Sequence, residues 1–242
     1  MRKKGIFKAI YQLYKWLFLF PFVALSTGIF GSATIVAALI FGEEATNLFA
    51  VVWAKTACFL VPLNVKVLGE ENLSNDKSYI VVANHQSMAD IIILQAHVKL
   101  TIKWVMKKEL ESIPLFGIAC KKLGCIYVDR FNHASALASM NRAQKNLSKK
   151  SSVVFFPEGT RTRDGKLLDF KKGAFRFALA TGLPILPVTI KDSMKILPTD
   201  SLDVSPGTTT ITIHSPIFME NKTIDDLDKI LLMVKEAIAC AL

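Results

Sequence analysis

Hydrophobic and polar positions follow two different rules along this chain. Residues 16–41 contain no charged side chain, and a second apolar stretch, 45–63, is interrupted only by Lys55. The first run exceeds the ~20 residues a helix needs to cross a bilayer core. Gly42, Glu43 and Glu44 separate the two stretches, so they predict a pair of helices joined by a short polar turn. A secretory signal has a shorter apolar core and a small-residue cleavage site, and neither is evident here. Two buried helices of a soluble core are the other reading of the same pattern.

From residue 64 onward the pattern shortens. Runs rich in β-branched residues at 65–68, 79–83, 102–106, 125–128, 153–156, 185–190 and 208–214 predict strands. Between them 91–98, 134–147 and 174–180 predict helices, and 225–239 predicts another after the last strand. In 134–147 the apolar stripe is Leu137, Met140, Ala143 and Leu147, while 174–180 is expected to end at Gly182 as its C-cap. Such alternation implies an α/β fold, a mostly parallel or mixed sheet flanked by helices. The expected organisation is a membrane-anchoring two-helix segment, 1–63, followed by an α/β domain, 64–242.

Charge narrows the field of partners. The 242 residues carry a net charge of +10, which favours anionic lipid surfaces, phosphorylated substrates or nucleic acid. Lysines and arginines are spread along the chain rather than clustered with stacking aromatics, which argues against nucleic acid. Arg2, Lys3, Lys4, Lys8 and Lys15 precede the first apolar run and would keep that end inside; a returning second helix would leave the following domain on the same side. Cys58, Cys120, Cys125 and Cys240 show neither CxxC pairing nor zinc-ligand spacing, so a reduced, metal-free domain is expected.

Four short blocks carry candidate chemistry. Asn84-His85-Gln86-Ser87-Met88-Ala89-Asp90 follows a strand, and a histidine oriented by a carboxylate can act as a general base. Ser87 and Asp90 ahead of Ile91 equally fit a capping box, with His85 merely closing the strand. Phe156-Pro157-Glu158-Gly159-Thr160-Arg161 ends another strand, either as an anion-binding turn or as an ordinary surface turn. Asp129-Arg130 closes a third strand and reads as a phosphate grip or as a solvated pair. The fourth block, 183–188, contains Pro184 and Pro187, and prolines in a strand suggest the sheet edge. A nucleotide phosphate loop is excluded because Gly159 to Gly165-Lys166 is one residue too long and Leu167 follows. A lipid serine hydrolase would need a Gly-x-Ser-x-Gly elbow, which the chain lacks.

In this order the blocks resemble the glycerolipid acyltransferase family, particularly its 1-acylglycerol-3-phosphate acyltransferases. His85 and Asp90 match the family's His-x4-Asp motif, Arg130 its arginine block, Pro157 to Arg161 its Pro-Glu-Gly-Thr-Arg block, and Pro187 its proline-bearing block. Lys107-Lys108-Glu109-Leu110, Pro114 to Gly117 and Phe170 to Gly173 are also similar, so the likeness spans roughly 66–215. The resemblance implies direct acyl transfer from acyl-CoA or acyl carrier protein to the sn-2 hydroxyl of lysophosphatidic acid. It implies His85 and Asp90 as the catalytic pair and no cofactor, metal or nucleic acid. Arg130, Arg161, Lys107 and Lys108 would face the phosphate, with Glu158, Gly159, Thr160 and Pro187 shaping the acceptor pocket. It also implies an inner-membrane location with the catalytic domain facing the cytoplasm. Another lyso-lipid or glycerol-3-phosphate is the alternative acceptor.

Overall fold

The computed structural model describes residues 9–74, 76–148 and 150–242. Arg2, Lys3, Lys4 and Lys8 of the basic flank lie outside them. Helix α1, Ala9–Phe41, contains a π-helical turn at Lys15–Leu19, and α2 is Glu43–Leu60. Only Gly42 intervenes, so the turn is tighter than the three residues expected. The Tyr14 hydroxyl donates to the Leu60 carbonyl at 2.9 Å, which sets the start of α1 beside the end of α2. Among the described residues α1 is the one helix long and apolar enough to cross a membrane; the apolar part of α2, Ala45–Leu60, is shorter. Leu17, Phe18, Leu25, Leu39 and Phe41 leave α1 largely exposed, yet Leu19 is buried in the same core as the sheet. The helical segment and the α/β domain therefore share a core, and the expected 63/64 boundary falls at the start of the first strand.

Seven strands form one mixed sheet: β1 Leu63–Leu68, β2 Ile80–Ala83, β3 Thr101–Lys107, β4 Ile126–Val128, β5 Ser151–Phe155, β6 Ile185–Lys191 and β7 Gly207–Ile213. Their order is β1-β7-β6-β2-β5-β3-β4. The pairs β6–β2, β2–β5, β5–β3 and β3–β4 are parallel, and β7 runs antiparallel to β6. β2 is apolar at every position because it is covered on both faces. Val81 and Ala83 turn to a layer with Ile93 and Leu94 of α3, Ala89–His97. Ile80 and Val82 turn to the opposite layer, against Phe175 of a helix at Gly173–Thr181 and Val234 of one at Leu227–Ala239. Each buried Val, Ile, Leu or Phe among them contributes roughly 1.5–3 kcal/mol of transfer free energy.

Two further details departed from expectation. Phe116–Lys122 forms a two-turn helix, α4, that the apolar pattern did not signal. Its Gly117 packs directly on the 3-10 turn Lys108–Ser112, where a Cβ would collide with the Glu111 carbonyl, so a poor helix former is required by close approach. The proline-bearing strand β6 is interior rather than at the edge. Pro187 is tolerated because its carbonyl accepts from His214 N–H at 3.0 Å, so its missing N–H faces β7, whose ladder begins at Val188. The remaining helices are α5 His133–Lys145, α6 Gly173–Thr181, α7 Ser193–Ile196 and α8 Leu227–Ala239.

Candidate active site

Because β2, β5, β3, β4 and β6 are parallel, their C-terminal ends meet at one edge of the sheet, where ligands bind in open α/β sheets. The loops leaving β2 and β5 carry His85 and Glu158, while Lys107 ends β3 and Arg130 follows β4. The sheet order therefore gathers blocks that lie far apart in sequence.

The first loop is held from several sides. The Asn84 side chain donates to the Ile190 carbonyl at 2.8 Å and accepts from the Ile190 N–H at 2.7 Å, pinning the loop to β6. His85 Nδ1 lies 2.8 Å from Asp90 Oδ2. The same oxygen accepts the backbone N–H groups of Gln86 and Ser87, each at 2.8 Å. Two obligate donors make Oδ2 an acceptor, so in the neutral ring Nδ1 carries the proton and Nε2 the lone pair. The two readings of this motif thus coincide: Asp90 closes the helix start, as half of a capping box, and orients the imidazole. Ser87 Oγ accepts from Ala89 N–H at 3.0 Å and donates to the Leu197 carbonyl at 2.6 Å. The His85 ring stacks on Phe156 with centroids 3.9 Å apart and planes 9° from parallel. Its side chain is 12% exposed, whereas that of Asp90 is wholly buried.

Glu158 joins this loop to the next. One carboxylate oxygen accepts from His85 N–H at 2.7 Å and the other from Leu168 N–H at 2.9 Å. Burial pushes its pKa up, opposed by those two backbone hydrogen bonds. Thr162 N–H donates to the His85 carbonyl at 3.0 Å, completing the bracing. Glu158 thus sits as a buried brace between backbones. Gly159 has φ +73°, and an added Cβ would meet the Lys171 ammonium at 2.7 Å. Thr160 is exposed beside it.

The cationic side is looser. Arg130 Nη1 donates to the Gly159 carbonyl at 2.6 Å. Lys108 Nζ is 3.9 Å from Asp129, and Lys107 Nζ is 3.2 Å from Glu109. Arg161 and Arg163 both face Asp200, at 3.4 and 3.1 Å. Arg130, Glu158, Gly159 and Arg161 therefore lie around the β5 loop, and Lys107 and Lys108 at the end of the adjacent strand. Pro187 sits apart, buried inside β6 opposite Val82. The sequence pattern placed Phe156 in its block without a role of its own and did not single out Arg163 or Asp200. Arg163 was detectable as a second arginine two residues after Arg161; Asp200 carried no local signal.

Residues 64–191 match the family described as Acyltransferase. The chloroplastic 1-acyl-sn-glycerol-3-phosphate acyltransferase of Arabidopsis thaliana is 36% identical over 173 residues, 71% of this chain and 48% of that protein. The 1-acyl-sn-glycerol-3-phosphate acyltransferase of Saccharomyces cerevisiae is 33% identical over 193 residues, 76% of this chain and 63% of that protein. The chain thus spans about half to two thirds of the length of these curated relatives. The crystal structure of the 1-acyl-sn-glycerophosphate acyltransferase PlsC from Thermotoga maritima is similar, with a TM-score of 0.80 at 27% identity, covering 98% of this chain and 95% of that one. The family match runs from β1 through the end of β6, taking in every strand end that frames His85 and the arginines. By that extent, and not by one short motif, this chain belongs to the acyltransferase family.

Proposed function

We propose that this protein transfers a fatty acyl group from acyl-CoA or acyl carrier protein to the sn-2 hydroxyl of 1-acylglycerol-3-phosphate, forming phosphatidic acid. The observation that carries the reading is the 2.8 Å contact from His85 Nδ1 to a fully buried Asp90, which leaves Nε2 as the base. His85 Nε2 removes the hydroxyl proton as the oxygen attacks the thioester carbonyl, and Asp90 steadies the imidazolium that forms. The tetrahedral centre collapses, the C–S bond breaks, and the imidazolium returns its proton to the departing thiolate. The side chain itself is never acylated. Stacking on Phe156 limits ring rotation and favours a reproducible attack geometry. Arg130 and Arg161 bind the acceptor phosphate, a planar fork on a phosphate being stronger than a lysine point charge. Lys107 and Lys108 add positive field, and Gly159 and Thr160 line the approach. Glu158 braces the loops of that pocket from beneath, and Pro187 belongs to the strand packed against β2 under them.

Membrane association belongs to the same proposal. The length and apolar exposure of α1 support insertion, and a net charge of +10 suits an anionic, cytoplasm-facing surface of an inner membrane. The test is an acyl-transfer assay in mixed micelles, with labelled 1-acylglycerol-3-phosphate and each thioester donor in turn. Phosphatidic acid from the parent and not from His85→Ala is expected. Equal product from both proteins would remove His85 from the chemistry.

A further inference from the structure

The loop after α7 brings a carboxylate to Arg161, which is proposed to meet the acceptor phosphate, and to its neighbour Arg163. Asp200 Oδ1 lies 3.4 Å from Arg161 Nη2, and Asp200 Oδ2 lies 3.1 Å from Arg163 Nη2. One carboxylate thus divides its two oxygens between two guanidinium groups, as a phosphate would. Both contacts are single and end-on, so each arginine keeps further N–H donors for another anion. Asp200 holds φ +60°, a left-handed conformation that costs a non-glycine residue energy and persists where neighbours impose it. Those neighbours are at hand. The Thr199 hydroxyl lies 3.1 Å from the Gln86 carbonyl and 2.9 Å from that of Thr162, so residue 199 is tied to both motif loops. Ser87 Oγ fixes the preceding Leu197 carbonyl at 2.6 Å.

We infer that Asp200 is a displaceable counter-ion for the acceptor site, a positioning residue that occupies the Arg161–Arg163 fork until a phosphate dianion replaces it. The inference rests on the proposed role of Arg161 in binding the acceptor phosphate and adds Arg163 to that site. Two physical consequences follow. With the site empty, Asp200 neutralises one of two adjacent positive charges and holds both guanidinium groups at the pocket rim. On binding, a phosphomonoester with nearly two negative charges outcompetes a single carboxylate, whereas a singly charged phosphodiester headgroup competes less well. Asp200 therefore favours acceptors with a terminal phosphate. The side chain is 54% exposed, so each ion pair is weak and displacement is cheap. Roughly a two- to fivefold effect on phosphate affinity is expected from removing it.

The experiment compares the full chain with Asp200→Asn and Asp200→Gly, both residues at home in a left-handed conformation. Inorganic phosphate alone is titrated by calorimetry in detergent, and KM and kcat for 1-acylglycerol-3-phosphate are measured separately. Both variants are expected to bind phosphate two- to fivefold more tightly, with KM falling by more than kcat changes. Adding Arg161→Ala to Asp200→Asn is expected to abolish the gain. Weaker or unchanged phosphate binding in folded variants would overturn the inference, the former meaning that Asp200 orients the arginines for the ligand. If the parent makes no phosphatidic acid but phosphate binding still tightens in the variants, the acceptor assignment fails while the role of Asp200 stands.

Discussion

The two halves of the candidate site are built in opposite ways. Around His85 nearly every polar atom is buried and engaged: Asp90 Oδ2 takes three donors, Glu158 takes two, and Asn84 clasps Ile190 at both its N–H and its carbonyl. Around the arginines the contacts are single, and those to Asp200 are longer and partly exposed, with the Arg163 side chain 84% accessible. Proton transfer needs a ring held to within a fraction of an ångström. Capture of a charged headgroup tolerates movement, because Coulomb attraction falls slowly with distance. The rigid half is placed where chemistry would occur, and the compliant half where a ligand would enter and leave.

This contrast predicts effects of different kind and size. The largest is at the base: His85→Ala is expected to lower kcat on the order of 10²–10⁴-fold with KM little altered, measured by single-turnover acyl transfer. Asp90→Asn places an amide opposite three N–H donors. It is expected to lose a hundredfold or more in kcat, and about 1–3 kcal/mol of stability by denaturant titration. A folded, fully active Asp90→Asn protein would break the rigid half of the comparison.

Glu158→Gln removes one acceptor from a buried bridge and is expected to cost about 1–3 kcal/mol. Because burial raises the Glu158 pKa above its usual 4.5, its contribution is full below that pH and is lost as pH rises through the shifted value. The gap between parent and variant should accordingly be widest in acid and narrow as pH increases. Arg161→Ala sharpens the other side. KM for the phosphorylated acceptor should rise roughly tenfold, while stability changes by no more than about 0.5 kcal/mol. Arg163→Ala is expected to give the smallest effect, a KM increase of about twofold that fades in high salt. A loss of stability in either arginine variant would mean that this half is structural after all.

Much of the fold was legible because burial writes itself into composition. The unbroken apolar run of β2 and the stripe of Leu227, Ile230, Val234 and Ile238 on α8 are direct consequences of what each face touches. Helix α4 was not legible, since two turns containing a glycine look like a loop until the Lys108–Ser112 turn is seen against them. Pro187 suggested an edge strand, and only the register with β7 explains how an interior strand accommodates it. Lys15 was grouped with the basic flank that would keep the N-terminus inside, and its ammonium is buried 2.7 Å from Asp203.

By itself the sequence determined the seven strands and the longer helices, the apolar N-terminal pair and the short blocks in which His85, Asp90, Glu158 and Arg161 stand. Those features depend on neighbours a few residues away, where periodicity and turn chemistry operate. Tertiary structure alone decided that five parallel strand ends meet at one edge, that Phe156 lies flat on His85, and that Asp200 reaches the arginines. Contacts across 37 to 71 positions depend on strand order and loop path, which a local pattern does not encode.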